Sequence, residues 1–317
     1  MRNTVTHIPT TYFLASKVRD YFQLTKFSLT FMVAFTSVIS YLVAPNVKYD
    51  LLSILVLFFA GICITGAANA INQTVEKDTD AVMRRTAKRP VAEGRMSTSE
   101  SSAFAAVLAT IGLLLMWVYF NAAAAGLSLF SLFLYAFIYT PLKKVTPLSV
   151  LVGAFPGALP CLIGWVAASG IISPFGHFQG ELANGHIATF SNAGGYILFG
   201  IQFLWQFPHF WAIAWLAHKD YARAGFKLLP NEGGPTKVSA IQNIIYCLVM
   251  VPFGMLPYYF NISGIVSFWI ILVCNLWMVG VAVRLAIKLD APAARWVMFS
   301  AYGYLVVVFL AMLADKV

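Results

Sequence analysis

An all-helical polytopic membrane protein, with about nine spans arranged around a central cavity, is the fold class the sequence predicts, and three observations predict it. Of 317 residues, 60% are hydrophobic and only 10% charged, with a mean hydropathy of +0.78. Soluble domains carry roughly 25% charged residues, so the bilayer is the natural solvent for this chain. Nine apolar runs approach the roughly 20 residues needed to cross a membrane. Finally, 19 of the 21 Lys and Arg residues fall on alternate connecting segments, and only Lys48 and Lys316 fall on the others.

The segment 1–26 comes first. Arg2, Lys17, Arg19, Asp20 and Lys26 are scattered through it without the pattern of a cleavable leader. Tyr12, Phe13, Leu14, Val18, Tyr21 and Phe22 suit an amphipathic surface helix over 12–26. Residues 1–26 are therefore expected to be a cytoplasmic segment, and 27–317 a single membrane domain. The nine runs lie near 27–44, 51–72, 102–120, 122–140, 148–170, 194–217, 239–258, 262–287 and 296–314. Several contain Gly or Pro, which membrane helices tolerate where neighbours satisfy the freed backbone groups. Segment 171–193 is rich in Gly and Ser, with Glu181, His177 and His186 as its titratable groups. It reads as a loop or short re-entrant element without chemistry.

The net charge of +9 follows the positive-inside bias and is not a nucleic-acid footprint. The N-terminus is expected inside, and the C-terminus on the opposite side. The predicted location is a bacterial inner membrane or its mitochondrial equivalent, with the active site on the basic face. Cys63, Cys161, Cys247 and Cys274 all fall within spans, at separations that match no metal or redox motif. They read as buried spacers.

The second run carries a polar stripe of Thr65, Asn69, Asn72, Glu76 and Asp80. Steps of three and four place all five on one helical face if the helix continues, with Asp78 pointing elsewhere. Thr65 and Asn69 read as contacts between helices. Asn72, Glu76 and Asp80 form an oxygen cluster suited to Mg²⁺, which takes one or two carboxylates and completes its shell with water and phosphate. The basic stretch Met83-Arg84-Arg85-Thr86-Ala87-Lys88-Arg89-Pro90 follows at once, and Arg binds phosphate in bidentate fashion. Together they suggest a diphosphate held between a metal and cations. Arg89-Pro90 is expected to end any helical extension, and Gly94 to permit a turn.

These residues resemble the first Asp-rich motif of the UbiA-type intramembrane prenyltransferases. The Arg85-Thr86-x-x-Arg89-Pro90 tail is similar to the heme O synthase (protoheme IX farnesyltransferase) branch. Tyr139-Thr140-Pro141-Leu142-Lys143-Lys144-x-Thr146 and Trp205-Gln206-Phe207-Pro208-His209-Phe210 agree with that branch. Glu76 stands where Asp is common, and Ser149 where Asn is expected. The paired D-x-x-x-D of quinone-pathway relatives is missing, with Ala217 and Tyr221 in its places and Asp220 nearby.

The resemblance implies transfer of a farnesyl group from farnesyl diphosphate to a vinyl group of protoheme IX. Water adds, and heme O and diphosphate are the products. It implies Asn72, Glu76, Asp80 and His209 as catalytic residues, and Mg²⁺ on Asn72, Glu76 and Asp80. Arg85, Arg89, Lys143 and Lys144 would hold the diphosphate. Gln202, Gln206, His209, Asp220 and Tyr221 would serve the acceptor. Heme is then a substrate, and heme A synthase or terminal-oxidase assembly proteins are expected partners besides the bilayer. Read physically, Gln202, Gln206 and His209 share one face of the sixth run, and Asp220 joins them if that helix persists. A Gln-Gln-His face inside a membrane needs partners or water. Competing readings are a related enzyme with an aromatic quinone-precursor acceptor, a transporter, and a heme carrier. The missing second acidic pair argues against the first. The polar cluster at one face, with no inverted repeat, argues against the second. A carrier would need no metal–diphosphate site.

Overall fold

The computed structural model describes residues 10–45, 47, 49–181, 187–229 and 234–317. Arg2, Lys48 and His186 lie outside this set, as do the side chains of Tyr12, Phe13, Leu14 and Glu181.

Thirteen helices are present among the described residues. The chain begins with α1 (Thr10–Thr25) and α2 (Phe27–Val43), which meet at a 49° bend. Lys26 makes the bend by adopting a left-handed conformation (φ 51°). Next come α3 (Leu51–Val75), the short α4 (Lys77–Val82) and α5 (Thr98–Leu115). A π-turn, Met116–Phe120, extends α5. Helix α6 (Ala122–Phe133) continues through a second π-turn, Leu134–Tyr139, into α7 (Thr140–Leu142). The remaining helices are α8 (Ser149–Ser169), α9 (Ala193–Leu216), α10 (His218–Arg223), α11 (Lys237–Tyr259), α12 (Ile265–Lys288) and α13 (Ala291–Ala314). Eight helical segments are long and apolar enough to span a membrane, and the bent α1–α2 pair makes up to nine. Each of the nine predicted runs coincides with one of these elements.

Short polar side chains start the helices. Asp50, Ser97, Asn121 and Asp290 accept hydrogen bonds from the first free amides of α3, α5, α6 and α13, satisfying donors that lipid cannot. Asn121 also donates to the Val166 and Ala167 carbonyls near the end of α8.

Helices α8 and α9 are the most buried spans. Helix α2 packs on α3, α8 and α13, while α9 packs on α8, α11 and α13. The first and last spans are therefore neighbours. Lys316 donates to the Leu42 and Ala44 carbonyls at 2.8 and 2.7 Å, tying the chain's last residues to the end of α2. Gly164 lets α8 approach α2 closely, because a Cβ there would collide with the Ser37 carbonyl oxygen.

One expectation needs correction. Segment 171–193 contains an antiparallel β-hairpin, β1 (His177–Glu181) with β2 (Ile187–Ser191). Asn192 anchors it, accepting from Trp165 Nε1 and donating to the Ile171 and Ser173 carbonyls. Helix α1 also packs closely against the membrane domain. Buried Asp20 binds Arg95 Nε at 3.0 Å, and Gln73 donates to the Gln23 and Leu24 carbonyls. Val18 and Phe22 remain exposed on its outer side.

Candidate active site

The polar stripe of α3 divides as its chemistry suggests. Asn69 donates to the Thr25 carbonyl and the Thr30 hydroxyl, a contact between helices. One turn on, Asn72, Glu76 and Asp80 are all buried, whereas Asp78 is exposed. Helix α3 does not run straight through them. It breaks at Glu76 (φ −92°, ψ 11°), and α4 resumes with the Asp80 amide donating to the Glu76 carbonyl at 2.7 Å. Asn72, Glu76 and Asp80 stay buried on both sides of the break. Helix α4 ends at Val82, before Arg89-Pro90. The Thr86 hydroxyl donates to the Asp80 carbonyl, holding the following turn beneath α4. Gly94 takes the expected left-handed turn conformation (φ +81°).

Each member of the triad holds a cation from a different element. Asn72 Oδ1 accepts from Lys26 Nζ at 3.0 Å. Glu76 Oε1 pairs with Lys143 Nζ at 2.8 Å, and Asp80 Oδ2 with Arg89 at 2.6 Å. Asn72 also donates to the Thr140 hydroxyl at 3.3 Å. Thr140 in turn donates to the Tyr135 carbonyl within the π-turn. That wide turn therefore presents Thr140 to α3. Lys143 stands 4.6 Å from the centroid of the Tyr139 ring. Tyr139 packs where Gly153 of α8 has no side chain, since a Cβ there would lie 2.5 Å from the ring.

Asp80 Oδ1 is buried without a protein partner. An orphaned carboxylate oxygen beside a second carboxylate and an amide fits a hard cation that takes oxygen ligands. No group of three His, Cys, Asp or Glu side chains converges among the described residues. Any metal here would therefore draw much of its shell from substrate and water.

Of the four predicted diphosphate residues, Arg89 and Lys143 join the cluster. Arg85 instead donates to the Tyr221 hydroxyl at 3.2 Å, with its guanidinium 5.8 Å from that ring's centroid. Lys144 is exposed, because the turn after α7 directs only Lys143 inward. Lys26 and Thr140 were not singled out by sequence. Lys26 precedes the first span directly, but its pairing with Asn72 spans 46 residues and leaves no periodic trace.

The predicted acceptor residues are not brought together as one face. Gln206 donates to the Ala154 carbonyl of α8 at 2.9 Å, and Gly157 leaves room for its amide. His209 turns toward α13, stacked on Trp205 (centroids 4.9 Å, 12°) and edge-on to Tyr302 at 4.7 Å. Gln202 Oε1 and His209 Nδ1 are the two buried polar atoms of α9 without a partner. Helix α9 stops at Leu216, so Asp220 lies on the separate α10, 3.5 Å from Arg223.

A ring of membrane helices with a carboxylate–amide triad and basic loops at one end defines the class. Residues 33–312 match the UbiA prenyltransferase family, and the chain belongs to that family of membrane prenyltransferases. Its relatives narrow the class. It is 41% identical to the protoheme IX farnesyltransferase of Cytophaga hutchinsonii, over 96% of this chain and 100% of that one. It is 40% identical to the protein of that name from Flavobacterium johnsoniae, over 94% of each. Among solved structures it is similar to a digeranylgeranylglyceryl phosphate synthase, with TM-score 0.73 and 20% identity over 95% of this chain and 98% of that one. It also resembles a UbiA homologue from Archaeoglobus fulgidus bound to GPP and Mg²⁺, with TM-score 0.61 and 13% identity over 92% and 99%. These two likenesses concern the fold.

Proposed function

We propose that this prenyltransferase moves a farnesyl group from farnesyl diphosphate to a vinyl carbon of protoheme IX, with addition of water, giving heme O and diphosphate. The observation that carries the diphosphate half is the buried Asn72–Glu76–Asp80 triad ringed by Lys26, Lys143 and Arg89. The acceptor half rests on full-length similarity to proteins named protoheme IX farnesyltransferase.

Such a transfer requires departure of diphosphate, whose developing negative charge must be stabilised. Lys143, Arg89 and Lys26 converge from three elements on the triad, and they would hold the phosphate oxygens there. Asn72, Glu76 and Asp80 would hold Mg²⁺, which neutralises charge on the leaving group when bound. Tyr221 and Arg85 would close the loop side of the site. On the acceptor side, Gln202 and His209 would offer their unpartnered atoms to the porphyrin, with Gln206 fixing the α8–α9 contact and Asp220 at the rim. The allylic cation would be attacked by the vinyl carbon, and the carbocation left beside the porphyrin ring would take up water and lose a proton to give the hydroxyl group. The basic loops would place this site on the inner face of a bacterial inner membrane or its mitochondrial equivalent.

Purified protein incubated with heme, Mg²⁺ and prenyl diphosphates of several lengths tests the reading. Mass spectrometry of the porphyrin should show a hydroxyethylfarnesyl adduct. Prenylation of an aromatic acid with heme untouched would instead establish the quinone-type activity.

A further inference from the structure

We infer that a divalent cation and a prenyl diphosphate enter this site only together, because Lys26, Lys143 and Arg89 each hold one oxygen of the triad until a diphosphate draws them away. The inference rests on the metal–diphosphate reading above and adds to it a condition on how the site is filled.

The argument is one of charge. Glu76 and Asp80 bring two negative charges, and the three cations bonded to the triad bring three positive ones. The cluster is therefore left with one net positive charge. Glu76, Asp80 and Lys143 are buried, where like charges repel far more strongly than in water. A lone divalent cation would raise the net charge to three. A fully ionised prenyl diphosphate, with three negative charges, would leave two negative if it came alone. One divalent cation on that diphosphate gives a ligand of net charge minus one, which cancels the protein's excess. Two cations would leave two positive charges. Asp220, next to the Tyr221 that meets Arg85, is already beside Arg223.

The geometry supplies the exchange. Lys143 sits between the Glu76 carboxylate at 2.8 Å and the Tyr139 ring at 4.6 Å. Its ammonium can leave Glu76 for a phosphate oxygen while the ring still supports it. Glu76 is then free for the metal, alongside the already unpartnered Asp80 Oδ1. Lys143 is thus a positioning residue that excludes bare metal as well as a phosphate contact.

The test is a Mn²⁺ titration of the full-length protein in detergent, following the paramagnetic resonance signal of free Mn²⁺. It is run with and without farnesyl thiolodiphosphate, an analogue that does not readily ionise. Mn²⁺ alone should bind at least about tenfold more weakly than with the analogue, and one Mn²⁺ should bind per chain when the analogue is present. In Lys143→Gln, Mn²⁺ alone should bind at least about tenfold more tightly than to the unaltered protein, while Lys143→Arg should keep the exclusion. Thermal melting shows whether each variant is folded, and Lys26→Gln replaces Lys143→Gln if the latter is not. Equal Mn²⁺ affinity with and without analogue, two Mn²⁺ per chain, or an unchanged affinity in the folded Gln variant would each overturn the inference and leave the metal–diphosphate reading standing. No Mn²⁺ bound under either condition would remove that reading itself.

Discussion

Lys143 Nζ and Glu76 Oε1 stand 2.8 Å apart although 67 residues separate them in sequence. The pair joins the turn after α7 to the break between α3 and α4. Buried pairs of this kind recover their desolvation cost only with good geometry, and the Tyr139 ring beside Lys143 supplies part of it.

The first prediction concerns the carboxylates. Glu76→Gln or Asp80→Asn should lower turnover by about a hundredfold or more, since metal-assisted charge stabilisation is worth several kcal/mol. Rates of porphyrin product formation check this, with melting curves confirming that the protein is folded. Near-normal rates in both variants would reduce the triad to a structural cluster.

A second prediction separates the two substrates. His209→Ala should weaken heme use while leaving binding of farnesyl diphosphate with Mg²⁺ largely intact, and Asn72→Ala should do the reverse. Each ligand is titrated separately in detergent. His209 packs between Trp205 and Tyr302, so a purely structural role would lower the melting temperature and weaken both ligands alike.

The third prediction follows from the α2–α8 contact. Gly164→Ala places a methyl group against the Ser37 carbonyl oxygen and 3.1 Å from the Tyr41 amide nitrogen. Backbone atoms cannot move aside as a rotamer can, so stability should fall by about 1–3 kcal/mol. Gly126→Ala, with nothing within 4 Å of the added carbon, should melt unchanged or slightly higher. Equal melting of the two variants would count against the close approach.

Orientation supplies the fourth prediction. Single cysteines introduced near residues 90, 180 and 230 should react with an impermeant reagent from the inside, the outside and the inside, respectively. Labelling of 90 and 180 from the same side would contradict the positive-inside assignment.

The spans were legible because the bilayer demands long apolar runs, and the α3 stripe because its three- and four-residue steps survive the break at Glu76. Asp78 was correctly set apart by the same periodicity. The break itself was not legible, since Val75-Glu76-Lys77 carries no Pro or Gly. Pairings between distant elements were also hidden: Lys26 with Asn72, and Arg85 with Tyr221 across 136 residues. The turn of His209 toward α13 depends on packing around Trp205, whose indole donates to the Ala301 carbonyl at 2.7 Å. A helical wheel places Gln202, Gln206 and His209 together but does not show that two neighbouring helices divide them. The hairpin after α8 was missed because Gly176, Gly180 and Gly185 break up its apolar residues and Asn192, which anchors it, reads as one more loop residue.

Lys316 bonds the last carbonyls of α2, and this bears on how the molecule is made. The seam between α2 and α13 joins the earliest span to the latest. Until α13 is inserted, the growing protein must remain open along that seam, with the side of α2 that faces α13 covered by lipid or by insertion machinery. Closure comes only once α13 and Lys316 have reached α2. Loss of the Lys316 ammonium would therefore spare every residue of the triad and still leave the seam without its clasp.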